Sequence, residues 1–321
     1  LFQKLDAAGF KVNRAVAAGR LAGNGEDFSW LFNFKAADVA GPDVKASGLS
    51  FSNAKANFRI DDLSRFKVTG RAQVEHLVTA DVNIGNITGD VTATNTEVTV
   101  PNFSGAIFGG KATGSARVRI DGKGTSEVKA DLLALNLDQA SAVGAGKRLP
   151  LRGTAEGTVN LAWNGFDYKT AEGTAKLKFA GSTVNQEGTD SAEPLEGLPI
   201  TGELNAVASQ RRLKISNTLI QTGATKITMD GDIGWDKTGA LNVALNADDA
   251  AELQALVLNL AKDLNPEAIQ EFTEQEIQLT NKLSFNGRVT GSLEKPEISG
   301  RFQLDAVNWH DEPLGAIAGD L

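Results

Sequence analysis

Apolar and polar residues alternate one by one through most of this chain, and a period of two is the mark of half-buried β-strands. Ala116, Val118 and Ile120 alternate with Arg117 and Arg119. Val159, Leu161 and Trp163 alternate with Thr158, Asn160 and Ala162, and Leu177 and Phe179 with Lys176 and Lys178. Ile227, Met229, Ile233 and Trp235 share one phase, and Leu241, Val243 and Leu245 repeat it. So do Leu283, Phe285 and Val289, then Phe302, Leu304 and Ala306. Successive side chains of a strand point to opposite faces, so every run has one dry face and one wet face. Asp121-Gly122, Asn164-Gly165 and Gly109-Gly110 separate runs as tight turns do, because these residues tolerate positive φ. Asp230-Gly231 and Asn286-Gly287 fall inside runs and are candidate bulges. The expected fold is mainly β, with about twenty antiparallel strands joined mostly by short connections.

A phrase recurs on this background. Ile87-Thr88-Gly89-Asp90, Ile200-Thr201-Gly202-Glu203 and Ile317-Ala318-Gly319-Asp320 are separated by 200 − 87 = 113 and 317 − 200 = 117 residues. Val100-Pro101-Asn102-Phe103 aligns near Ile215-Ser216-Asn217-Thr218, and Leu133-Ala134-Leu135-Asn136 with Val243-Ala244-Leu245-Asn246. An ordered series of matches indicates repetition, here in modules of about 115 residues. The division is a partial module at 1–86, modules at 87–199 and 200–316, and the start of another at 317–321. Each module closes on a helical insert. In the second it spans 248–275, with Leu253, Leu256, Val257, Leu260 and Leu264 at helical spacing and a capped start at Asp249 and Glu252. Pro266 opens a second helix there. In the first module the insert is a single short turn after Asn136.

Chemistry-bearing constellations are scarce. The only histidines, His76 and His310, lie in different modules, and the absence of cysteine excludes disulfides and thiolate metal sites. Gly144-Ala145-Gly146-Lys147-Arg148 fails the phosphate-loop pattern, with Ser141 where the first glycine belongs and Arg148 where Ser or Thr belongs. The carboxylates recur on wet phases, which is a solubility pattern. Asn86-Ile87-Thr88 and Asn102-Phe103-Ser104 match the glycosylation sequon, a tripeptide common by chance. Trp30, Trp163, Trp235 and Trp309 are spread as anchors rather than gathered as a stacking platform. A net charge of −8 with dispersed lysines and arginines argues against nucleic acid. No apolar run approaches the roughly 20 residues of a bilayer span. Neither an enzyme, a cofactor nor a metal is expected. Beginning at Leu1 and stopping early in a module, the chain is expected to be an excerpt of a longer one.

The dry faces must be covered. A second sheet, giving a sandwich, is the default. Two features favour a groove: the dry phase is rich in Ala, Val, Gly and Leu and poor in large aromatics, and repeats stacked through their edges make one elongated, curved antiparallel sheet. Its lining would be Val118, Ile120, Val159, Leu161, Leu177, Phe179, Ile227, Met229, Leu241, Val243, Leu245, Phe285, Phe302 and Leu304.

The run GAIFGGKATGSARVRID from Gly105 resembles a recurring phrase of the AsmA-like superfamily. FNGRVTGSLEKPEISGRFQLDAVNW from Phe285 resembles another, carried by Gly287, Val289, Gly291, Pro296 and Gly300, and the Pro296 phrase tilts it toward the TamB type over the AsmA and YhdP types. The resemblance covers most of the chain after about residue 45. It implies a periplasmic β-groove (a β-taco) in a protein anchored in the inner membrane by a part outside this sequence. It also implies outer-membrane biogenesis through phospholipid transport, with acyl chains as the guests and a β-barrel of the outer-membrane assembly machinery as a possible partner. The alternatives are a scaffold or chaperone that holds outer-membrane strands by β-augmentation, and a structural extracellular repeat with a filled core.

Overall fold

A computed structural model describes the chain except residues 1, 8–9, 42–43, 63, 80–81, 146–147, 150, 182–197, 237, 262–269, 271–273, 293–294 and 311. The strands run in chain order from β1 (Phe2–Ala7), β2 (Phe10–Gly23), β3 (Asp27–Gly41) and β4 (Val44–Arg59) to β5 (Lys67–Thr79) and β6 (Val82–Thr94). Next come β7 (Glu97–Ile107), β8 (Gly110–Arg119), β9 (Thr125–Asn136), helix α1 (Leu137–Ala145), β10 (Leu151–Arg152), β11 (Thr154–Asn164), β12 (Asp167–Ala180) and β13 (Leu198–Pro199). The remainder is β14 (Thr201–Ser209), β15 (Arg212–Gln221), β16 (Thr225–Gly234), β17 (Thr238–Ala247), helix α2 (Ala250–Ala261), β18 (Ile277–Ser292), β19 (Lys295–Trp309) and β20 (Glu312–Asp320).

These elements form two units, Leu1–Gly146 with Glu156–Thr174, and Lys147–Ala155 with Ala175–Leu321. In the first, β1 to β9 pair consecutively and antiparallel, and β11 pairs with β9. In the second, β14 to β20 form another consecutive antiparallel meander, beside a two-residue parallel pair of β10 and β13. The order β6-β7-β8-β9-α1 in one unit matches β14-β15-β16-β17-α2 in the other, four strands and then a helix.

The alternation becomes strand pairing because residues directly opposite one another share a face. In the first unit one such row is Ala17, Phe34, Phe51, Ala72, Gly89, Phe103, Gly114 and Ala130. In the second it is Gly202, Ile220, Ile227, Leu245, Phe285, Phe302 and Gly319. The opposite faces carry cross-strand polar pairs such as Arg71 with Asp90 at 3.5 Å, Asn242 donating to Asp230 at 3.0 Å, and Arg301 with Asp320 at 3.1 Å.

The bulges are not at the expected dipeptides. Asp230-Gly231 and Asn286-Gly287 continue in register with β17, Gly231 at a φ of 145° that its lack of a side chain permits. In β15 and β7 the register breaks instead where two residues of the apolar face stand three apart. Ile215 and Thr218 of β15 oppose Gly231 and Met229, so the extra residue keeps both on the apolar face. Val100 and Phe103 of β7 do the same against Ala116 and Gly114. Asn53, Asn86, Asn217 and Asn281 take left-handed φ of 48° to 62° at such breaks, a conformation asparagine tolerates better than most residues.

The helices sit at strand ends. Asn136 Oδ1 accepts the Asp138 amide at 3.1 Å and starts α1, which is nine residues long rather than one turn. Asp249 Oδ1 accepts the Ala251 amide at 3.0 Å and caps α2 as expected. Glu252 does not reach back to complete a capping box; it accepts the Ala224 amide at 3.1 Å and the Thr222 hydroxyl, fixing the β15–β16 turn. Gln254 serves the overhanging start of β18, donating to Ile277 O at 2.7 Å and accepting the Leu279 amide at 2.6 Å. Ala250 packs with Leu304 and Val307 beneath Ile277, Leu279 and Leu283. The second helix expected at Pro266 lies outside the described residues.

Candidate functional site

Burial separates by side-chain size on the apolar faces. Of the sixteen buried hydrophobic residues described, eleven are alanines, and the fully buried side chains of largest volume are only Thr218 and Ser126. Of the fourteen expected lining residues, Leu304 is buried at 5% exposure and the other thirteen are half-buried. The chain exposes 19804 Å². A close-packed globule of its mass would expose about 12,800 Å². The filled core of a sandwich, which would bury the large side chains, is therefore not what these faces have.

Register brings many of the expected residues together. Ile227 faces Leu245, Met229 faces Val243, Leu245 faces Phe285, and Phe285 faces Phe302. Val118 ends a row that runs from Trp30 through Ala56, Val68, Ala93 and Val98. Ile120 stands past the end of β8, in the turn, with its amide donating to Thr96 O at 2.9 Å. Leu177 and Phe179 are half-buried on β12 while Lys176 and Lys178 are exposed. Val159 and Leu161 are half-buried on β11.

Glycine lets the large side chains lie flat. A Cβ at Gly287 would meet the Phe285 ring, one at Gly319 would stand 3.1 Å from the Phe302 ring, and one at Gly23 would meet the Phe28 ring. Rings laid over bare backbone cover the sheet without standing up to fill a second layer.

The dry face is not uniformly poor in aromatics. Phe28, Trp30, Phe32 and Phe34 all fall on one face of β3, opposite Gly23, Leu21, Gly19 and Ala17 of β2. Trp30 stacks on Phe32 with centroids 4.2 Å apart, and Phe28 on Phe58 at 5.8 Å. Phe28, Phe58 and Phe66 line a depression of about 740 Å³. The signal for this ladder was the period-two spacing of Phe28-Ser29-Trp30-Leu31-Phe32-Asn33-Phe34, upstream of the region where the resemblance is strong. Beside it, Arg59 is held by Asp61 through bonds of 2.9 and 2.8 Å and by Glu26 at 2.7 Å. The Arg59 hydrogen bonds and charge hold the Asp61 carboxyl below the usual aspartate range. That guanidinium is engaged and offers no free anion site.

The histidines are exposed; His310 Nδ1 lies 3.0 Å from Glu276, and His76 stands in register with Ser47 and Gly85. Among the described residues no three His, Asp or Glu side chains gather as a metal site, and no helix is long and apolar enough to cross a membrane. What the site can do is solvate apolar guests along sheet faces that its own side chains leave partly open. No family model, curated protein or solved structure matches this chain.

Proposed function

We propose that the chain is a periplasmic segment of an AsmA-like, inner-membrane-anchored bridge protein. In this role its apolar sheet faces carry phospholipid acyl chains between the inner and outer membranes. The observation that supports this is the size-selective burial: most of the buried apolar residues are alanines, while side chains of the same faces such as Leu177, Ile227, Met229 and Phe285 stay half-exposed. An apolar face left open in water is costly unless something covers it. An acyl chain gains about 0.8 kcal/mol per buried CH₂. A lining with no specific contacts thus binds tails while allowing them to slide, and a headgroup stays in water.

Native mass spectrometry of the purified chain with its extracted lipids tests this reading. Retained phospholipid is the expected result, and Val243→Lys or Leu177→Asp should reduce it several-fold while Lys178→Ala does not. Equal loss from all three folded variants, or lipid-free protein throughout, rejects it. Photocrosslinks from Phe179 and Ile227 then separate lipid adducts from peptide adducts, the latter favouring a scaffold for outer-membrane strands.

A further inference from the structure

Three asparagine–glycine pairs occur in the chain: Asn24-Gly25, Asn164-Gly165 and Asn286-Gly287. This dipeptide can react with itself, because the glycine amide nitrogen can attack the asparagine side-chain carbon and no Cβ on the glycine stands in the way. The reaction needs a glycine N–H that is not committed to a hydrogen bond, and a backbone free to bring the two atoms together. All three asparagines are exposed, so access to the side chain does not separate them. Their glycine amides do.

Asn286-Gly287 lies inside β18, with Gly287 opposite Val243 of β17 and Gly300 of β19. A strand flanked in register on both sides has its amides engaged. Asn164-Gly165 sits at the β11–β12 turn, yet the Gly165 amide donates to Gly124 O at 2.9 Å and its carbonyl accepts the buried Ser126 hydroxyl at 2.6 Å. The Asn164 amide is tied as well, donating to the Thr170 hydroxyl at 3.2 Å. Asn24-Gly25 sits at the β2–β3 turn and is held differently. The Asn24 amide donates to Asp27 O at 3.1 Å. The far side of the turn is anchored beside β4, where the Ile60 amide donates to Glu26 O at 3.0 Å and Arg59 donates to the Glu26 carboxylate at 2.7 Å. Between these ties, neither the Gly25 amide nor the Asn24 side chain has a hydrogen-bond partner among the described residues. Gly25 takes a φ of 100°, and a Cβ there would meet nothing within 4 Å.

We propose that Asn24 is a site of spontaneous deamidation. Hydroxide removes the Gly25 amide proton, the nitrogen bonds to Asn24 Cγ, and the side-chain NH₂ leaves as ammonia after taking a proton from water. The product is a cyclic succinimide. Water then adds to either of its carbonyls and opens the ring, giving aspartate or isoaspartate. In sum, a carboxamide and water become a carboxylate and ammonium, and water is the only co-reactant. Asn24 lies on the rim of the depression lined by Phe28, Phe58 and Phe66. The reaction therefore adds a negative charge to that rim, beside Glu26 and Asp27, where Arg59 and Arg65 are already engaged by Glu26, Asp61 and Asp62. In the isoaspartate form the main chain runs through the former side chain, which lengthens the β2–β3 turn. None of this depends on lipid binding by the sheet faces.

The test is to age the purified chain in mildly alkaline buffer, once native and once in urea that unfolds it, and to follow each asparagine by peptide mass spectrometry. Native chain should deamidate at Asn24 at least tenfold faster than at Asn164 or Asn286. In urea, where only the dipeptide counts, the three rates should converge to within a few-fold. Equal native rates, a faster reaction at Asn164 or Asn286, or an unreacted Asn24 overturns the assignment. So does a lead of Asn24 that persists unchanged in urea, because the fold would then not be its cause. Enzymatic methylation of isoaspartate gives a second readout: label should accumulate at residue 24 of the aged native chain and be lost in Asn24→Gln. Undiminished label in that variant overturns the proposal.

Discussion

Gly89, Gly202 and Gly319, the glycines of the recurrent phrase, face Phe103, Ile220 and Phe302 on neighbouring strands. At Gly319 an added Cβ would meet the Phe302 ring, whereas at Gly202 it would run into the Leu219 carbonyl of β15 and at Gly89 into the Val100 side chain and the Asn102 carbonyl of β7. Gly287 is a case to test, because a valine there would collide with the Ser299 carbonyl of β19 and with the Phe285 ring. Gly287→Val should cost about 1–3 kcal/mol in chemical denaturation. Thr218 is the reverse situation: it is 1% exposed, and its hydroxyl has no hydrogen-bond partner among the described residues. Thr218→Val should raise stability by about 1 kcal/mol, since it removes an unsatisfied group without changing shape. A loss of stability would mean that the hydroxyl has a partner in solution. Asp121 contributes a pH dependence. The Lys123 amide, and then Arg119, hold its carboxyl below the usual aspartate range. Its stabilising effect is therefore present above the pKa of the unfolded chain and lost as pH falls through the lowered folded value. Asp121→Asn should flatten the acid side of a Tm-versus-pH profile and leave the alkaline side unchanged.

At the scale of elements, α2 acts as a fixed end-piece rather than a loose insert. Its first turns tie the β15–β16 turn through Glu252 and the overhang of β18 through Gln254. The Gln254 amide stands in for a neighbouring strand, because β17 begins to pair with β18 only at Leu283. Gln254→Ala leaves a half-buried carbonyl and amide unpaired, and should cost about 1–3 kcal/mol. Hydrogen exchange at Leu279 should accelerate by tenfold or more, while amides of β16 stay protected. Retained protection at Leu279 would show that water or another group replaces the side chain without cost. The bulges belong to this scale as well. In β15 the bulge keeps the apolar phase across a three-residue step, so deleting Asn217 should give a regular pairing without the bulge, with Thr218 and Ile220 still opposite Met229 and Ile227 on the apolar face.

For the whole molecule, the consequence is thermodynamic. The surface of 19804 Å² and an alanine-dominated core mean that less apolar area is withdrawn from water than in a close-packed protein of equal length. Unfolding heat capacity scales with that area, so calorimetry should give a value clearly below the ~12–15 cal/mol/K per residue of globular proteins. A value within that range would indicate that the faces are covered in solution. Addition of lipid vesicles should raise Tm if acyl chains provide the missing cover, because a guest that binds only the folded state stabilises it.

Strand identity, the phase of each strand and the polarity of each face were determined by sequence alone, because a period of two is a local property that needs no partner to be expressed. Residues such as Leu177 beside Lys178, or Val243 beside Asn242, announce their faces in the chain itself. The aromatic ladder from Phe28 to Phe34 obeyed the same rule and was equally legible. Tertiary structure alone decided where the bulges fall, since a bulge is defined against the neighbouring strand, and Asp230-Gly231 is unbroken while Ser216-Asn217 is not. It also decided how far each face is buried. Alternation shows that a side chain avoids water on one face, but only the packing of a second layer, or the lack of one, determines whether water is in fact removed.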